Sequence, residues 1–211
     1  MTTASLNRMT VPLASDDSRS DQGLLMPKLK YRFRVVFENL GVSTPRTELT
    51  KQVIDFTRPS VSFDDITIDL YNSKMRLAGK HTWEDVTVNL RDDASNQATR
   101  LIAEQLQKQM DFIEQASAAS GIDYKFTTTC QILDGGNGAV EPRVLETWAL
   151  YGCYIQSANY NDLSYSDSNP VTIALTLRFD NALLSPGDGD AGFGTAAGVG
   201  RTVRDVVTGA G

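Results

Sequence analysis

The chain has 211 residues, of which 41% are hydrophobic and 22% charged, with a formal net charge of −6. This composition supports one sizeable core. It argues against nucleic acid or an anionic membrane surface as a bound partner, because both select for an excess of Lys and Arg. No apolar run is long enough to span a bilayer, and two cysteines with one histidine leave little for a disulfide framework, a metal knuckle or acid–base chemistry. The N-terminus lacks the apolar core of a secretory signal, so synthesis and folding in the cytoplasm is the expectation.

Residues 1–26 are polar, rich in Ser, Thr and Asp, and without period, which reads as an N-terminal arm ending at Pro27. In residues 31–38, Tyr31, Phe33, Val35 and Phe37 alternate with Arg32, Arg34, Val36 and Glu38, the pattern of a half-buried strand. Residues 41–52 (GVSTPRTELTKQ) read as an exposed loop, and 53–57 as a short strand stopped before Pro59. In residues 61–71, Val61 and Phe63 hold one parity and Ile66, Ile68 and Leu70 the other, a phase change that a β-bulge or bend produces. Residues 72–80 read as a connecting turn with a short extended piece. Trp83 is out of phase with Val86, Val88 and Leu90, which suggests a second bulge within 81–91.

Residues 92–120 carry the one long helical pattern, predicted over about 94–119. Asp92, Asp93 and Ser95 are N-cap candidates, and Ala98, Ile102, Leu106, Met110 and Ile113 recur at spacings of three and four. Gly121 is placed to end the helix in a left-handed cap. Alternation resumes at 125–133, and DGGNG at 134–138 is a strong turn. Residues 145–155 carry apolar side chains on both parities: Leu145, Ala149, Tyr151, Cys153 and Ile155 against Trp148, Leu150 and Tyr154. Such a strand lies between layers or is covered by another chain. The clearest strand is 171–179 (VTIALTLRF), with strict alternation over its whole length. Residues 185–211 are dense in Gly and read as a second arm.

The residues offer little chemistry. His81, in KHTWED, has no nucleophile or ligand spacing near it and reads as a surface histidine at a strand end. The acid pairs Asp16–Asp17, Asp64–Asp65, Glu84–Asp85 and Asp92–Asp93 do not make facing carboxylates, since neighbours in a strand point to opposite faces. GDGDAGFG in the tail lacks the Lys and Ser/Thr of a phosphate loop. Cys130 and Cys153 both fall in strands. Buried reduced thiols are the expectation for a cytoplasmic product, with a disulfide open if the product leaves the cell. No catalytic residue, cofactor or metal is expected.

Three stretches together resemble the tail tube protein of contractile-tailed bacteriophages: YNSKMRLAGKHTWEDVTVNLRDD at 71–93, LQKQMDFIEQASAASGIDYKF at 106–126, and ETWALYGCYIQSANYNDLSYSDSNPVTIALTLRFDNA at 146–182, which opens on Trp148, Leu150 and Gly152. The resemblance spans roughly residues 27–182. It implies a mainly β, α+β fold over residues 27–184, with two packed antiparallel sheets and one long flanking helix, similar to the tube protein of type VI secretion systems. It also implies hexameric rings whose inner strands close into a barrel and which stack into a tube inside a contractile sheath. The implied partners are sister copies, the sheath protein, a tape measure protein in the lumen, and baseplate and terminator proteins. DNA would pass through without specific binding, in a virion assembled in the host cytoplasm.

Within that frame, Asp64, Asp69 and Glu84 are candidate lumen acids that repel phosphates, and Thr44, Arg46, Glu48 and Lys51 form a candidate ring-stacking loop. The alternatives are a tube or tube-initiator protein of a related injection or secretion device, and, in a different class, a carbohydrate-binding β-sandwich of a phage fibre.

Overall fold

The computed structural model describes residues 27–42, 46–135, 141–187 and Gly192. The expected N-terminal arm, Thr44, most of the DGGNG turn and nearly all of the Gly-rich tail lie outside the described residues. The chain divides into two compact units, Met1–Arg32 and Phe33–Gly211. In the first, the described backbone makes a turn, with the Arg32 N–H donating to the Leu29 carbonyl at 3.2 Å.

The second unit is mainly β. Its elements in chain order are β1 (Phe33–Glu38), β2 (Arg46–Glu48), β3 (Val53–Phe56), β4 (Val61–Leu70), β5 (Ser73–Trp83), β6 (Val86–Arg91), α1 (Gln97–Gln109), β7 (Met110–Asp111), β8 (Ala116–Ser117), α2 (Gly121–Tyr124), β9 (Phe126–Leu133), β10 (Val144–Asn159), β11 (Thr172–Arg178) and β12 (Asn181–Pro186). Eight strands form one antiparallel sheet in the order β2-β1-β9-β10-β11-β6-β3, with β12 also on β10. The sheet does not close on itself. β4 with β5, and β7 with β8, form separate two-stranded pieces.

β10 joins the two halves of the sheet. Its first half pairs with β9 and β12, its last residues with β11. Glu146, Trp148 and Leu150 point into the core, and then Cys153 and Ile155 do, so the inward parity flips in between. The flip occurs at Gly152, which sits at φ +68 where the register with β9 shifts. A left-handed residue inside a strand makes a bulge and bends it. This corrects the reading of 145–155 as apolar on both faces: one inward stripe changes phase at a glycine. Inward residues from both halves form a single cluster that includes Val35, Phe37, Val88, Leu90, Leu150, Ile155, Ile173, Leu175 and Leu177, with Leu101 and Ile102 from α1.

The helix is shorter than its sequence pattern. α1 ends at Gln109, and Met110 is extended at φ −151, ψ 129. The Asp111 carboxylate then accepts from the Ile113 and Glu114 N–H groups at 2.8 and 3.4 Å, and Gln115 adopts φ 55. An Asx-type turn of this kind competes directly with helix continuation. Ile113, expected on the buried stripe, is 90% exposed. At the other end the N-cap is Asn96, at φ 56 and without a side-chain cap bond, rather than Asp92, Asp93 or Ser95, although the Asp93 carboxylate accepts from the Gln97 N–H at 3.1 Å. Gly121 does not cap α1; it opens the short α2, whose N-cap is Ser120.

Three further expectations change. Of residues 72–80, expected as a connecting turn with a short extended piece, only Asn72 lies in the turn, with Tyr71; residues 73–80 belong to the long strand β5. The phase change before Val86 is a strand break at Glu84–Asp85 rather than a bulge. β12 runs to Pro186, past the expected start of the Gly-rich arm at 185.

Candidate assembly surfaces

The β4–β5 hairpin has an apolar face that no described residue covers. Its strands pair from Leu70↔Ser73 at the tip to Val61↔Trp83 at the root. The register shifts between Phe63 and Asp65, where the sequence pattern changes phase. Outward of that shift, Ile66 lies opposite Leu77 and Ile68 opposite Met75, so these four and Leu70 share one face. Each is between 40% and 52% exposed. The other face is charged and largely self-neutralised: Arg76 lies 3.2 Å from Asp65, and Lys74 3.3 Å from Asp69. At the root, rings run from Phe63 through His81 and Trp83 to Phe179, which packs against the core. Covering the five half-exposed side chains would be worth about 4–7 kcal/mol, half of what complete burial of such residues contributes. An isolated two-stranded hairpin is marginal in water.

The sheet also offers open edges. β3 pairs with β6 on one side and, among the described residues, with no strand on the other. β9 ends opposite Cys153, so beyond it β10 has β11 on one side and no described strand on the other. The run β3–β6–β11–β10 therefore begins and ends on strands of opposite direction.

Solved structures share this architecture. A chain from the anti-feeding prophage baseplate matches with a TM-score of 0.59 at 13% identity, over 77% of this chain and 98% of that one. A chain from the anti-feeding prophage tube-terminating cap matches at 0.56 and 16%, over 82% and 99%. The SPP1 tail tube matches at 0.51 and 12%, over 78% and 81%. The chain has a tail-tube fold. Neither a family model nor a curated protein matches the sequence.

In this tail-tube fold the lumen candidates sit at the hairpin. Asp64 is exposed at the register shift, Asp69 is exposed beside Lys74, and Glu84 is exposed between hairpin and sheet, its N–H donating to the Ser60 carbonyl at 3.0 Å. The stacking-loop residues separate: Arg46 and Glu48 lie in β2, opposite Glu38 and Val36, and Lys51 is exposed in the turn before β3.

Of the remaining acid-pair residues, Asp16 and Asp17 lie outside the described residues, and the others make structural contacts. Asp85 accepts from Arg178 at 2.7 Å, and Asp92 accepts from the Thr99 hydroxyl at 2.7 Å. His81 is exposed near the end of β5, as its sequence context suggests. Cys130 and Cys153 are free and buried; burial pushes their thiols up to about 12 and about 11, which leaves them protonated and unreactive. Among the described residues, no cluster of His, Cys, Asp or Glu could hold a metal, and no helix is long and apolar enough to cross a membrane.

The sequence reading missed two glutamines. Gln105 is fully buried: its Oε1 accepts from the Gly41 N–H at 3.1 Å, and its Nε2 donates to the Tyr124 carbonyl at 2.6 Å. Gln109 meets the open edge of β10, accepting from the Ile155 N–H and donating to the Ile155 carbonyl, both at 2.9 Å. A polar residue on the buried stripe of a helix was the available signal, and Gln105 falls between Ile102 and Leu106.

Proposed function

We propose that this protein is a structural subunit of a tail tube, assembling with copies of itself into hexameric rings that stack into a hollow conduit for DNA inside a contractile sheath. The observation that carries the reading is the uncovered apolar face of the β4–β5 hairpin, a surface that a sister copy would bury. Ring closure draws on the two edges of the β3–β6–β11–β10 run. Four strands per copy keep every junction antiparallel, whatever the number of copies, when β3 of one adds to β10 of the next. The residues 1–26 and 185–211 are proposed as arms, and Arg46, Glu48 and Lys51 with Thr44 as the stacking loop. Asp64 and Glu84 are the stronger lumen acids, since Asp69 is partly neutralised by Lys74. Sheath, tape measure, baseplate and terminator proteins are the partners, with no catalytic step and no cofactor.

A second reading has its own support: chains from a baseplate and from a tube-terminating cap match at higher TM-scores than the SPP1 tail tube. On that reading the subunit forms a single ring at one end of a tube. Negative-stain microscopy of the purified protein over a concentration series tests both. Open-ended tubes support the main proposal and isolated rings the second. Monomers at every concentration and salt would remove the self-assembly reading altogether.

A further inference from the structure

The β10 edge assigned to ring closure is not bare. At Ile155, the second residue past the end of β9, the Gln109 carboxamide occupies the place of a neighbouring strand's peptide group. A primary amide presents one N–H donor and one carbonyl acceptor, the pair a β-ladder residue exchanges with its partner. With both Ile155 groups taken, a strand arriving from outside finds no hydrogen-bonding pair there. Unpaired edges invite addition of further strands, and proteins guard them.

We propose that Gln109 is a gate on this edge: it holds the strand-accepting end of β10 closed in the free subunit, and β3 of a second copy displaces it. The inference rests on the ring-closing reading above. Gln109 is suited to leave. It is the last residue of α1, and the next residue is already extended, so its side chain can swing away without unwinding a turn. The helix stays docked meanwhile, because Gln105, Leu101 and Ile102 are buried one or two turns earlier and Lys108 bonds the Gly41 carbonyl at 2.9 Å. The occupant is set by direction and length. β3 runs opposite to β10, and its four residues, Val53–Phe56, suit the short stretch from Ile155 to Asn159.

The test is Gln109→Ala, with Gln105→Ala as the control that loosens α1 without uncovering the edge. In the free subunit, hydrogen exchange at the Ile155 amide accelerates at least about tenfold in Gln109→Ala, while the Leu175 amide in β11 is unchanged. Ring formation begins at a roughly tenfold lower protein concentration in Gln109→Ala, since two hydrogen bonds no longer have to break first. Gln105→Ala does not lower that concentration. Unchanged Ile155 exchange in Gln109→Ala overturns the gate even if no ring is ever seen. An equal or higher onset concentration overturns it too, as does an equal fall in Gln105→Ala. If Ile155 exchange responds as expected but neither parent nor variant assembles, the ring-closing reading fails and takes the gate with it.

Discussion

Replacing Leu77 by Asp tests the hairpin surface directly. Leu77 lies opposite Ile66 at the centre of the apolar face and is 45% exposed in the free subunit. Covering its exposed half in an assembly is worth about 1 kcal/mol. A carboxylate in its place forfeits that and adds a desolvation cost of several kcal/mol for a charge buried without a partner. The sum, about 3–5 kcal/mol per contact, raises the concentration at which rings or tubes form by roughly two to four orders of magnitude. The free subunit barely changes, because a half-exposed hairpin position contributes little to folding. Thr67→Asp is the matched control: it adds the same charge to the opposite face, beside Arg76. Sedimentation velocity over a concentration series, with circular dichroism melts of each variant, reads both quantities. If Leu77→Asp assembles at the same concentration as the parent, the hairpin face is not an interface.

The strand bend at Gly152 predicts that Gly152→Ala costs about 2 kcal/mol or more in denaturant unfolding, since a left-handed alanine is strained and its Cβ would run into the Asp180 carboxylate. A cost below about 0.5 kcal/mol would show that the bend does not need glycine. Gln105→Ala leaves the Gly41 N–H and the Tyr124 carbonyl without their partner, and should lower stability by about 2–3 kcal/mol in the same assay; an unchanged midpoint would mean that water replaces the amide. The thiols set an alkaline limit. Their folded pKa values, about 12 and about 11, lie above the ordinary value of 9.0, so the unfolded chain loses these protons first. Their contribution to stability is complete below pH 9 and is lost as pH rises from there through 11 and 12. Stability measured from pH 8 to 10.5 should therefore fall less steeply in a Cys130→Ala/Cys153→Ala double variant, and parallel curves would refute the assignment. At pH 8, alkylation of both thiols should be slow until the protein is unfolded.

Alternation by itself determined β9, β11 and the inward residues of β6, because a strand buried on one face writes its burial into every second residue, and it located β1, where Val36 is buried as well as Val35 and Phe37. Trp148, Leu150 and Gly152, the opening of a stretch that resembles tail tube proteins, have a physical meaning now visible: two inward side chains followed by the bend that turns the sheet. Tertiary structure decided the rest. The helical period past Gln109 was overridden by the Asp111 turn, whose local hydrogen bonds compete on equal terms with those of a helix. Strand β5 was obscured because its alternation, Lys74 and Arg76 against Met75 and Leu77, is short and is interrupted where the register shifts between Ala78 and His81, and because its hairpin buries little within the free chain. The Gln109–Ile155 contact joins residues distant in sequence, and an amide side chain carries no mark of the backbone group it will meet. Local periodicity reports which face of an element is buried; which edges and faces remain open depends on how the strands are ordered in space, and the proposed assembly surfaces are read from that order.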